Sequence, residues 1–161
     1  MTRTRSAAET TRTQTSTMTL TQRAAAIVGA VFALVGLAGF IPGLTQNLDA
    51  ISWAGNESNA KLLGLFEVSV LHNLVHLGYG ILGLAAARAQ NWARNFLIWG
   101  GAIYLGLAIY GMVIDRNSDA NFVPLNIADN WLHLGLGLGM VGLGLLAGAT
   151  RAEDRPAQSS L

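Results

Sequence analysis

The chain has 161 residues, enough for one domain; 52% are hydrophobic, only 12% are charged, and there are 19 glycines and no cysteine. Soluble domains carry about 25% charged residues, so this composition points to a membrane protein. The net charge of +1 with scattered arginines excludes a nucleic-acid surface, and the lack of cysteine excludes disulfides, thiolate metal sites and thiol catalysis.

Residues 1–22 are rich in Thr, Arg and Ser and almost free of large apolar side chains. Such a segment cannot bury enough surface to offset its ordering entropy, and it reads as a disordered cytoplasmic tail. Met18 is an alternative start. The apolar run Ala24–Gly43 follows. A signal peptide is the competing reading, but the run exceeds the usual 7–15 residues of a signal core and Pro42-Gly43-Leu44 is a poor cleavage site. A retained helix is expected.

Three further apolar runs follow, Val70–Ala87, Asn95–Ile114 and Ile127–Thr150, with Asp129 the one charged residue among them. At about 1.5 Å rise per residue each is long enough for a hydrocarbon core about 30 Å thick. Backbone groups in lipid must be satisfied within the segment, so each is predicted to be a helix. The alternative for any one run is a buried helix of a soluble protein. Four such runs with no amphipathic helix between them favour an all-α membrane protein with four transmembrane helices. The transmembrane domain spans residues 23–150 and residues 151–161 form a second cytoplasmic tail.

Orientation follows from the basic residues. Arg3, Arg5, Arg12, Arg23, Arg88, Arg94, Arg151 and Arg155 fall on one side, and only Lys61 and Arg116 on the other. Both termini are therefore expected in the cytoplasm. Asp49, Glu57, Asp115 and Asp119 collect in the outer loops. Trp53 is placed to anchor the outer face and Trp92 and Trp99 the inner one, as aromatic belts do. Asn56-Glu57-Ser58 is formally a glycosylation sequon, read here as chance. Gly137-Leu138-Gly139-Met140-Val141-Gly142 spells Gly-x-Gly-x-x-Gly but follows no strand, so it is not a dinucleotide site. Gly135/Gly139 and Gly144/Gly148 have instead the four-residue spacing of close helix packing.

The pattern Asn-x-x-His-Leu-Gly-x-Gly occurs twice, from Asn73 to Gly80 and from Asn130 to Gly137, an offset of 57 residues. Ser69 then aligns with Asn126, both good helix N-caps. His72 aligns with Asp129. A weaker match pairs Ile27–Ala30 with Ile98–Gly101 at an offset of 71, the difference of 14 residues lying in the first outer loop. The chain thus reads as two similar helical hairpins in tandem, related by a parallel pseudo-two-fold axis along the membrane normal.

All three histidines lie in these motifs. Residues three or four apart share a helix face, so His72, Asn73 and His76 group together, as do Asp129, Asn130 and His133. His76 and His133 sit roughly 10 Å below the outer helix ends, where unpaired polar groups are expensive. One reading is structural. Asn73 and Asn130 would bond His133 and His76 across the two hairpins, and Asn126 with Asp129 would form a capping pair. The other is a site: His72, His76, Asp129 and His133 as ligands of a transition metal, or His76 and His133 as axial ligands of haem. Glu67 is a candidate fifth group. A small-ligand or lipid pocket is a variant. No relay of ionisable groups crosses the bilayer, no catalytic set is visible, and no cofactor is expected on the structural reading. Tyr79, Tyr104 and Tyr110 read as packing residues whose hydroxyls find a helix partner.

Gly64-Leu65-Phe66, Leu71-His72-Asn73-Leu74-Val75-His76-Leu77 with Gly80, and Pro124-Leu125-Asn126 with Asp129-Asn130-Trp131-Leu132-His133-Leu134 resemble a family of small bacterial four-helix membrane proteins catalogued as domain of unknown function 4383. The resemblance covers roughly residues 23–148. It implies four helices in a bacterial inner membrane and no particular activity. Ser69 stands where the pattern more often has Asn, an equally good cap. The expected partners are the lipid bilayer and either a second copy or another membrane protein.

Overall fold

The computed structural model describes residues 17–153, with side chains to residue 146. Of the expected tails 1–22 and 151–161, residues 1–16 and 154–161 lie outside the described residues, as do the surroundings of Gly148. Four helices carry the fold: α1 (Leu20–Ala38), α2 (Val70–Ala86), α3 (Gln90–Val113) and α4 (Ile127–Glu153). Two of them, α1 and α3, are long and apolar enough to cross a membrane; α2 is a shorter apolar helix of 17 residues.

Each helix lies where an apolar run lies, with ends set by local chemistry rather than by hydropathy. α1 starts four residues before Ala24 because Thr19 caps it: its hydroxyl accepts the Gln22 N–H, and the Gln22 side chain accepts the Thr19 N–H. Leu20, Thr21 and Gln22, expected in a disordered tail, are therefore helical. α1 ends at Ala38, short of the expected Gly43, since Pro42 follows and Gly43 takes φ +89°. α3 begins at Gln90, five residues before Asn95, because the polar stretch Gln90–Arg94 is helical too.

The helices form two antiparallel hairpins, α1–α2 and α3–α4, which are the closest pairs. α1 and α3 meet across the centre, where Phe32 lies against Tyr104 with ring centroids 5.1 Å apart. The α2–α4 diagonal is the widest. Glycines let the hairpins close. A Cβ on Gly80 would stand 2.4 Å from the Ala33 nitrogen, and one on Gly137 2.9 Å from the Gly101 carbonyl. The glycines that make these contacts match those the spacing suggested only at Gly144. Gly135, Gly139 and Gly142 face open space, while Gly137 and Gly144 pack on α3.

Residues 39–69 carry structure that hydropathy did not reveal: a small antiparallel sheet, β1 (Thr45–Gln46), β2 (Lys61–Leu62) and β3 (Phe66–Glu67), in the order β1-β2-β3. The β2–β3 turn holds Leu63 at φ +53° and Gly64 at φ +72°. Ala60, Leu62 and Val68 form a satellite core beneath this loop. Ser58 of the sequon triplet is buried there, its hydroxyl donating to the Val68 carbonyl. The loop also caps α2. The Val70 and Leu71 N–H groups donate to the Ser52 and Trp53 carbonyls, and the His72 N–H donates to the Ser69 hydroxyl. At the other end, Gln22 Nε2 donates to the Ala87 carbonyl and Gln90 Nε2 to the Thr21 hydroxyl, tying the start of α1 to the α2–α3 turn.

Candidate functional site

The capping residues place the polar cluster. Ser69 fixes the start of α2, so His72 and His76 stack on one face with ring centroids 4.5 Å apart. Asn126 and Asp129 form a reciprocal box at the start of α4. The Asp129 N–H donates to Asn126 Oδ1 at 3.0 Å, and the Asn126 N–H donates to Asp129 Oδ2 at 3.0 Å. The same pair reaches across to the loop between α1 and α2. Asn126 Nδ2 donates to the Leu65 carbonyl at 2.7 Å, and the Glu67 N–H donates to Asp129 Oδ2 at 3.3 Å. Glu67 thus takes part through its backbone; its side chain pairs with Lys61 at 3.7 Å across the β2–β3 ladder.

His72, His76, Asp129 and His133 line one cavity of about 110 Å³ between α2, α4 and the β2–β3 turn, and Asn73 lines it as well. Asn130 does not. Each asparagine lies within its own hairpin. The Asn73 amide is pressed against Gly39 and that of Asn130 against Gly111, so that a Cβ at either glycine would collide with it. The expected Asn–His bonds between hairpins are therefore absent: these close approaches hold the amides beside the ends of α1 and α3. Asn73 Nδ2 and Asn130 Oδ1 are buried without a partner.

A further link between hairpins runs through Tyr104, expected as a packing residue whose hydroxyl finds a helix partner. His76 Nδ1–H donates to the His72 carbonyl at 3.0 Å, the helical i−4 position, leaving Nε2 as an acceptor. The Tyr104 hydroxyl stands 3.4 Å from that nitrogen, and its ring meets the His133 ring edge-on at 5.0 Å. Phe32 and Tyr79 complete the ring cluster. The only hint of Tyr104 in the sequence was a tyrosine deep in an apolar helix. Tyr110 donates to the Ala120 carbonyl, whereas the buried Tyr79 hydroxyl has no partner.

Among the described residues no three His, Asp or Glu side chains are disposed to hold one metal ion. His76 has both ring nitrogens engaged, and Tyr104 stands beside both His76 and His133. The cavity is below the roughly 300 Å³ at which cofactor pockets begin. Three buried nitrogens around it nevertheless lack partners: His72 Nδ1, His133 Nδ1 and Asn73 Nδ2.

No curated protein and no solved structure matches the chain. The sequence profile of the family described as Domain of unknown function (DUF4383) matches residues 22–146, which include most of all four helices, the Ser69 and Asn126–Asp129 caps and every residue of the cluster. The chain belongs to this family.

Proposed function

We propose that the chain is a multi-pass integral protein of a bacterial inner membrane, a four-helix bundle with both termini in the cytoplasm, and that its role is structural or accessory rather than enzymatic. Its surface supports this. Ile27, Leu34, Ile103, Ile109, Leu138 and Leu146 are among the large apolar side chains exposed on the helices, while glycine, alanine, asparagine and histidine lie inside. That distribution suits lipid, where packing of small residues rather than hydrophobic burial joins helices. All four tryptophans are 64–69% exposed, Trp53 and Trp131 toward one end and Trp92 and Trp99 toward the other, consistent with two interfacial belts. Residues 23–150 are the membrane domain on this reading, with cytoplasmic tails at 1–22 and 151–161.

The two hairpins are best understood as copies. Asn73 against Gly39 corresponds to Asn130 against Gly111; Gly80 against Gly29 corresponds to Gly137 against Gly101. Phe32 and Tyr104, which touch at the centre, correspond to each other. These pairs share offsets of 57 for α2 to α4 and 72 for α1 to α3, one residue more than the 71 read from Ile27–Ala30. A parallel pseudo-two-fold axis relates them. A second copy or another membrane protein would meet α4 at its open Gly135–Gly139 face, and Gly139→Leu would then change the oligomer size.

The observation that carries the structural role is that the polar groups of the second motif hold the first hairpin's loop: the Asn126–Asp129 box bonds Leu65 and Glu67. A transition-metal or haem site remains the competing reading. Metal analysis and an absorption spectrum of detergent-purified protein, beside His76→Ala, separate the two. The structural role predicts no stoichiometric metal, no Soret band and a variant that is merely less stable. A metal or band lost in the variant would overturn it.

A further inference from the structure

We propose that the cavity between α2, α4 and the β2–β3 turn binds a neutral ring bearing oxygen, of phenol or quinone type. This goes beyond the structural role and needs only the fold described. Six of the cavity's lining side chains are Val35, Leu62, Leu63, Phe66, Val68 and Leu132, so most of the wall is apolar. His72, Asn73 and His133 line it too, each nearly fully buried and each with a ring or amide nitrogen lacking a partner. A buried polar nitrogen without a partner is costly, so it calls for a ligand atom able to accept or donate a hydrogen bond. Water alone would suit the nitrogens but not the apolar walls.

The charge requirement is equally specific. No Lys or Arg lines the cavity, so an anion finds no counter-charge. Asp129, the one carboxylate present, accepts the Asn126 and Glu67 N–H groups on Oδ2, which leaves Oδ1 able to accept from a ligand hydroxyl. The remaining groups, an amide and two imidazoles, recognise hydroxyl or carbonyl oxygen. The size fits. An apolar cavity of about 150 Å³ takes a benzene ring, and this one, at about 110 Å³ and only partly enclosed, takes a single ring with a substituent leading out. A soluble phenol and the head of a membrane quinol offer this same chemistry.

The test is a titration of detergent-purified protein carrying ¹⁵N-labelled histidine, with phenol, hydroquinone and decyl-substituted hydroquinone as probes and cyclohexane as the oxygen-free control. Phenol and hydroquinone are expected to move the His72 and His133 ring resonances saturably while those of His76, already hydrogen-bonded, stay in place. Cyclohexane should bind more weakly by about tenfold or more. Val35→Phe, which fills the cavity from α1, should weaken every probe by a similar factor. If the decyl chain tightens binding about tenfold or more, the source is a membrane-borne ring; equal affinity indicates a soluble one. No saturable shift from any probe, or cyclohexane binding as well as phenol, would overturn the proposal. Should the Val35 variant not fold, the titration of the unaltered chain decides alone.

Discussion

At Gly80 one added methyl group would meet backbone, with the Ala33 nitrogen at 2.4 Å and the Gly29 carbonyl at 2.6 Å. Backbone cannot rotate away, so α1 and α2 would have to part. Gly80→Ala should therefore destabilise the protein by about 1–3 kcal/mol or more. Gly78, two residues earlier, has nothing within 4 Å. There the same change should be neutral or stabilising by up to about 1 kcal/mol, since alanine favours a helix. Thermal melting of both variants in one detergent checks the contrast; equal losses would contradict the packing described. Ser69→Ala leaves the His72 N–H without its acceptor and should cost about 1 kcal/mol in the same assay. The sequence alone could not distinguish Gly78 from Gly80, because both lie in the same repeated motif. Only the neighbouring helix decides which glycine is indispensable.

Between elements, α4 holds β3 through the Asn126–Asp129 box. Removing the Asp129 carboxylate frees the N–H groups of both Asn126 and Glu67. Asp129→Ala should raise hydrogen exchange at β3 and the first turn of α4, while the Gln22–Ala87 end of the bundle keeps its protection. Uniform loss of protection would mean that the box holds the whole fold rather than one junction. The capping pair was legible in the sequence because its grammar is local: a good cap residue, and an acidic residue three positions on. The β-sheet was not, since strands of two residues carry no alternation to read. Nor was Tyr104 as the bridge to His76, because nothing on α3 announces which side chain of another helix it meets. The ends of α1 moved for a related reason: hydropathy marks what lipid would cover, whereas Thr19 and Pro42 mark where the helix starts and stops.

For the molecule as a whole, the four helices were visible as apolar runs and their pairing as a repeated motif, while the cavity came only from the fold, where α2 and α4 stand apart. The central claim is that these helices cross a bilayer with the histidine cluster at the outer end. The chain has no cysteine, so single cysteines can be introduced without background. Asn59 in the α1–α2 loop, Asn117 in the α3–α4 loop and Ala89 in the α2–α3 turn are all exposed. The decisive measurement is labelling of Asn59→Cys, Asn117→Cys and Ala89→Cys with a membrane-impermeant maleimide in intact bacterial cells. Labelling is expected at 59 and 117 at once, and at 89 only after the cells are permeabilised. Labelling of Ala89→Cys in intact cells, or recovery of all three variants in the soluble fraction, would contradict it.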